Sequence, residues 1–138
     1  MKPPRRIPMG PCVLDASALL AMLHGEPGGD LVEPLLSGAT ISSVNWAEVL
    51  QKSVAAGIST DGMREDIEAT GCAIEPFLPE DAQRTAHLWP STVRKGLSLG
   101  DRACLALAAR LARPAITADR VWLDVAVGVH VVAIRSQP

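Results

Sequence analysis

Short apolar runs alternate with helix-patterned stretches along the whole of this 138-residue chain. That alternation is the strongest restriction on its fold, because it specifies a parallel sheet with helices on both faces. Residues 11–15 (P-C-V-L-D) form a first apolar run ending at an acid, and residues 17–24 read as a helix stopping near Gly25. A second short helix is expected over 28–37, then a β-type run over 39–43. Residues 45–56 place Trp46, Val49, Leu50 and Val54 on one helical stripe closed by Gly57. A polar helix over 60–70 and a strand over 72–77 follow, Pro76 pushing that strand to the sheet edge. The pattern then gives a helix over 80–88, a loop over 90–100 and a helix over 101–113 closed by Pro114. Strands over 115–117 and 129–134 come last.

The expected fold is therefore α/β, three layers around a central, mostly parallel sheet of four to five strands. The chain carries no internal repeat or linker, so residues 11–138 read as one domain, preceded by a flexible basic arm over 1–10. Hydrophobic residues make up 48% of the chain, enough for a folded core. No apolar run is long enough for a membrane span, and the basic N-terminus leads into no apolar signal region. Cys12, Cys72 and Cys104 are widely spaced, as suits buried thiols in a reducing cytoplasm better than a disulfide framework or zinc site. The formal net charge of −2 is not that of a generic nucleic-acid binder, which would be strongly basic. Three tryptophans, one phenylalanine and no tyrosine exclude a base-stacking sheet as the main mode of nucleic-acid recognition.

Four acids fall where a strand ends or a helix begins: Asp15, Glu48, Asp101 and Asp119. Right-handed crossovers bring all strand ends and crossover-helix starts to one edge of the sheet. The four therefore face the crevice in which open α/β sheets bind ligands. Carboxylates ~4–6 Å apart repel by about 1–4 kcal/mol per pair, and a divalent cation removes that cost. Carboxylate-held Mg²⁺ or Mn²⁺ cleaves phosphodiesters, so the pattern points to a metal-dependent nuclease. The competing reading is helix capping. Asn45–Glu48 and Ser98–Asp101 have capping-box spacing, Asp15 precedes a helix at Ser17, and Asp119 precedes a short helix at 120–124. Against it, Asp101 heads the apolar stripe of Cys104, Leu105, Ala108 and Leu111, with Arg102, Ala106, Arg110 and Arg113 opposite and facing water. Glu65, Asp66, Glu68, Glu80 and Asp81 lie on polar helices and read as solvated surface.

The segments D-A-S-A-L-L-A (15–21), S-S-V-N-W-A-E (42–48), L-S-L-G-D-R-A-C-L-A-L-A (97–108) and I-T-A-D-R-V-W (116–122) resemble the PIN domain. More narrowly they are similar to the VapC-type toxins of bacterial toxin–antitoxin pairs. The likeness covers nearly the whole chain in order, and its most specific parts surround Asp101 and Asp119. It implies a Mg²⁺- or Mn²⁺-dependent endoribonuclease of α/β/α fold, with Asp15, Glu48, Asp101 and Asp119 matching the acidic quartet. It also implies an RNA substrate, a homodimer and a cognate antitoxin that blocks the crevice. The apolar residues of the early helices (Leu19, Leu20, Met22, Leu23, Leu31, Val32, Leu35, Leu36) are expected for the most part to form the core, the remainder offering surface to an antitoxin segment.

On this reading Asp15 and Asp101 bind the principal metal directly, while Glu48 and Asp119 act directly, through water or on a second ion. Ser17, Asn45 and Thr117 stand beside the acids as supporting hydrogen-bonding groups. Arg94, Lys95, Arg102 and Arg120 are the candidate phosphate contacts. His24, His87 and His130 share no motif and are left out. The alternatives are a phosphate-transfer or receiver-type α/β domain and a non-catalytic binding module. The first fits poorly: Ser17 stands where a phosphatase of that type places a second acid, and the last strand is followed by Arg135 in place of a lysine.

Overall fold

The expected apolar runs become five strands in the computed structural model, which describes residue 7 and residues 10–136. They are β1 (Cys12–Leu14), β2 (Ala39–Ser42), β3 (Ala73–Glu75), β4 (Ala115–Thr117) and β5 (Val131–Ala133), in the spatial order β3-β2-β1-β4-β5. Each neighbouring pair is parallel. The register sets Leu14 beside Ile41 on one side and Ile116 on the other. The helices are α1 (Ala16–Leu23), α2 (Ser43–Ala55), α3 (Met63–Ala69), α4 (Pro79–His87), α5 (Trp89–Thr92) and α6 (Leu99–Leu111). The basic arm expected over 1–10 lies outside the described residues except for Ile7 and Gly10, and Ile7 packs against the core.

Alternation along the strands divides the interior in two. Cys12, Leu14, Ile41 and Ile116 join Leu19, Leu20, Trp46 and Val49 on one face. Val13 and Ala115 join Leu97, Cys104, Leu105, Leu107 and Trp122 on the other. The α/β/α architecture follows from that division. Chain order also reverses at the centre: the sheet grows from β1 to β3 in one direction and then from β4 to β5 in the other. Such a reversal opens a crevice beyond the strand ends between β1 and β4.

The expected helix over 28–37 forms two 3₁₀ segments instead, Gly29–Leu31 and Glu33–Gly38. Gly28 adopts a left-handed φ of 87°, and Pro34 removes a backbone donor, so an α-helix cannot run through. A side chain on Gly29 would collide with the Ala21 backbone, so this glycine sets how closely the segment lies on α1. The stretch expected as a loop over 90–100 contains α5 and a 3₁₀ turn, Val93–Lys95. Thr92 Oγ1 donates to Leu88 O at 2.7 Å and closes that turn from within. Among the described residues, no helix is long and apolar enough to cross a membrane.

Two surface expectations are corrected by α4. Asp81, read as solvated, is 1% exposed. It accepts from Leu78 N at 3.0 Å and from Arg110 Nε and Nη2 at 2.8 and 3.1 Å. Arg110 also reaches Glu75 at 3.4 Å, so the end of β3, the start of α4 and the last turns of α6 share one ionic junction. The stripe of α6 expected to face water is covered in consequence: Ala106 is fully buried, and Arg102 donates to Thr85 O on α4 at 2.8 Å. Asp81→Ala should cost about 1–3 kcal/mol, since it removes the cap on Leu78 N and leaves Arg110 only its longer contacts to Glu75 and Pro76 O. Glu65→Gln on exposed α3 should stay within about 0.5 kcal/mol. Urea unfolding of the two variants beside the parent protein measures both.

Candidate active site

Asp15 leaves the end of β1 at the centre of the reversal, where its backbone turns into α1. It occupies the N-cap position, yet its side chain caps nothing. Instead Oδ2 accepts from Ser17 Oγ at 2.6 Å and from Thr117 Oγ1 at 3.1 Å. Ser17 Oγ also accepts from Ala118 N at 3.0 Å, so one hydroxyl joins the start of α1 to the end of β4. The carboxyl is 3% exposed. Burial pushes it from 3.8 up to about 7; the Ser17 and Thr117 hydrogen bonds oppose that rise, while the charges of Asp101 and Glu48 add to it.

Glu48 arrives from the second turn of α2, not the first. The helix begins at Ser43, because Ser42 caps it through Val44 N at 3.2 Å. Asn45, expected to be that cap, lies inside the helix and is fully buried. Its Nδ2 donates to Glu48 Oε1 at 2.8 Å and to Gly100 O at 2.9 Å, bolting α2 to the first turn of α6. Its Oδ1 is buried without a partner. A side chain at Gly100 would meet the Glu48 carboxylate, so the glycine makes room for the acid.

Asp101 and Asp119 do serve as caps, as the competing reading expects. Ser98 Oγ accepts from Asp101 N at 3.1 Å while Asp101 Oδ2 accepts from Ser98 N at 2.8 Å. Asp119 Oδ1 accepts from Val121 N at 3.0 Å and starts the 3₁₀ segment Arg120–Asp124. Each cap occupies one carboxylate oxygen and leaves the other. Burial raises the Asp101 carboxyl above its usual range; the Ser98 hydrogen bonds oppose this, the Asp119 charge adds to it, and Lys52 lowers it. The electrostatic coupling thus links Asp15 with Glu48 and Asp101, and Asp101 with Asp119. Cys104 lies fully buried nearby, and burial followed by the charges of Asp15, Asp101 and Glu48 keeps its thiol well above the usual range.

Sequence reading passed over Gly100 and Lys52. Gly100 carried a signal, standing directly before Asp101; Lys52 carried none, being one helical turn beyond Glu48 on an exposed face. Of the candidate phosphate contacts, Arg94 and Lys95 are exposed on the 3₁₀ turn leading into α6. Arg102 and Arg120 each give one guanidinium nitrogen to a backbone carbonyl, Thr85 O and Arg135 O respectively. Among the described residues, no three acid, imidazole or thiol side chains stand close enough together to hold a metal ion. The four acids offer oxygen alone, the donor type that a hard cation takes with few protein ligands and several waters.

The raised Asp15 carboxyl has a consequence for ion-free stability. Between its unfolded value of 3.8 and its folded value of about 7, the folded protein keeps a proton that the unfolded chain has released. This contribution is full below that window and is lost as pH rises through it, and Asp101 acts in the same direction. Thermal melts in EDTA from pH 5 to 8 should show a falling melting temperature for the parent and a flatter profile for Asp15→Asn. A parent profile that climbs with pH would contradict the placement of this carboxyl.

The sequence profile of the PIN domain family matches residues 12–128. A search of curated protein sequences gave no match. Among solved structures, the fold is similar to a toxin–antitoxin complex from Klebsiella pneumoniae, with TM-score 0.68, 19% identity, and 91% of this chain and 99% of that chain covered. It is similar also to DNA-bound VapBC from Salmonella typhimurium, with TM-score 0.64, 16% identity and coverage of 92% and 100%. A third likeness is to VapBC-5 from Mycobacterium tuberculosis, with TM-score 0.57, 26% identity and coverage of 91% and 99%. The match over most of its length, on a parallel sheet with acids at the order reversal, shows that the chain belongs to the PIN domain family, a membership that implies nuclease hydrolysis.

Proposed function

We propose that this protein is a Mg²⁺- or Mn²⁺-dependent endoribonuclease and the toxin of a toxin–antitoxin pair. The observation that carries the reading is Asp15: a buried carboxyl, free of capping duty, at the order reversal and under the repulsion of Glu48 and Asp101. In this reading Asp15 and Asp101 hold the ion directly, and Glu48 and Asp119 act through water or on a second ion. When bound, the ion supplies an acidified water and offsets charge at the cleaved phosphate. Ser17 and Thr117 pin Asp15 Oδ2, so the carboxylate plane is set before any ligand arrives. The unpaired Asn45 Oδ1 is an acceptor placed for a water of the same site. Arg94 and Lys95 are exposed cations for the phosphates of the RNA strand.

The toxin assignment, the antitoxin, the homodimer and the cytoplasmic setting rest on the family and on the likeness to toxin–antitoxin proteins of solved structure. As expected for most of the early-helix residues, Leu19, Leu20, Val32, Leu35 and Leu36 are buried in the core. Leu23 remains exposed and, with Met22, Leu36 and Met63, lines an apolar cleft of about 270 Å³ in which an antitoxin segment would fit. Exposed Val54, Trp89 and Leu99 offer apolar surface to a second copy.

Purified protein incubated with total cellular RNA, with and without Mg²⁺ or Mn²⁺, tests the activity. Asp15→Asn and Asp101→Asn should each lower cleavage by about 100-fold or more while circular dichroism stays unchanged, the loss expected for removing a metal-holding carboxylate. Near-normal cleavage by either variant removes that residue from the mechanism. Mn²⁺ should raise the melting temperature of the parent but not of the doubly substituted protein; four simple caps would give no such rise. Gly100→Ala should leave the fold intact, gaining up to about 1 kcal/mol of helix stability. It should also displace the Glu48 carboxylate and weaken Mn²⁺ binding in the same titration.

A further inference from the structure

A second concavity shares a wall with the carboxylate crevice. It holds about 550 Å³ and is lined by Ser17 and Asp119, by Arg120, already a candidate phosphate contact, and by Val121, Leu123, Asp124 and Arg135, which belong to no site described so far. Its walls are held from outside the cavity. Trp122, 1% exposed, anchors the 3₁₀ segment Arg120–Asp124 in the core. Arg120 Nη1 donates to Arg135 O at 3.1 Å, and Arg135 Nε donates to Pro27 O at 2.9 Å. Each guanidinium is thus fixed by one carbonyl and keeps further N–H groups. The carboxylate nearest Arg135, that of Glu26, is 3.9 Å away and does not saturate it. The same lining includes apolar side chains, with Leu123 44% exposed, and one further carboxylate, Asp124.

Apolar side chains and carbonyl-fixed guanidinium donors in one cavity are complementary to a nucleotide: a base against carbon, and a phosphate or base edge against N–H groups. The volume lies within the range of small-ligand pockets. We infer that this cleft seats the nucleotide next to the cleaved bond, with Leu123 and Val121 against its base and Arg120 and Arg135 on its polar groups. The inference rests on the nuclease reading above and adds to it a substrate subsite and a source of base preference. Because Ser17, which donates to Asp15, and Asp119 line this cavity, a strand entering it would place its adjoining phosphate beside the acids.

Leu123→Ala and Arg135→Gln test it. Leu123 is exposed, so its variant folds even if loss of the Arg135 contact to Pro27 loosens the second. The readouts are cleavage kinetics and cut-site sequencing on a random single-stranded RNA of about ten nucleotides in Mn²⁺. Anisotropy of the labelled RNA in EDTA reports binding without cleavage. Each variant should raise KM and weaken metal-free binding by about tenfold, as for loss of a charge-assisted hydrogen bond or a packed base, with kcat within about twofold. Base preference should flatten at one position beside the cut. A matching DNA strand with the same dependence on Leu123 shows that base and phosphate suffice; dependence confined to RNA adds the ribose to what the cleft reads. Unchanged KM, binding and cut-site profile in both variants, with the parent active, overturn the cleft and leave the nuclease reading standing. A parent that neither binds nor cuts RNA in either ion overturns both.

Discussion

Parallel pairing imposes one constraint from which the rest of this structure follows. Five strands pointing the same way need four crossovers, and each crossover starts at the same edge of the sheet. That edge concentrates orphan helix N–H groups, strand-terminal side chains and, at the reversal between β1 and β4, an opening. Acids are favoured there one at a time by the N–H groups and disfavoured together by their mutual repulsion. The structure shows both tendencies. Asp101 and Asp119 give one oxygen each to the backbone, whereas Asp15 gives none and is forced towards its protonated form.

The fold was legible in the sequence because its signals are local and redundant. Apolar runs of three or four residues, glycines at the ends of helices and Pro76 at the sheet edge point to the same architecture that the hydrogen bonds draw. Element boundaries were less legible where one residue decides them. Ser42 and Asn45 are both good caps on paper, and the choice of Ser42 moves Glu48 from the first helical turn into the second. Asn45 then takes a role no cap spacing announces, tying the Glu48 carboxylate to the first turn of α6.

What sequence could not supply were contacts between elements far apart in the chain. Nothing local distinguishes Asp81 from Glu80, yet one is buried against Arg110 and the other exposed; the difference lies in where α6 passes. Arg102 and Arg120 looked available as neighbours of the acids, and each proved to hold a backbone carbonyl 15 or more positions away. The cleft beside Ser17 was equally invisible. It is assembled from the first helix, the segment after β4 and the C-terminal Arg135, and no one of these carries a motif for it.

Cys104 lies fully buried among the charges of Asp15, Asp101 and Glu48. Only a thiolate attacks peroxides, disulfides or alkylating agents at a useful rate. Three negative neighbours and the lack of solvent hold this sulfur in its inert form. The acids at the sheet edge therefore add to the burial that keeps this thiol protonated and slow to react with oxidants.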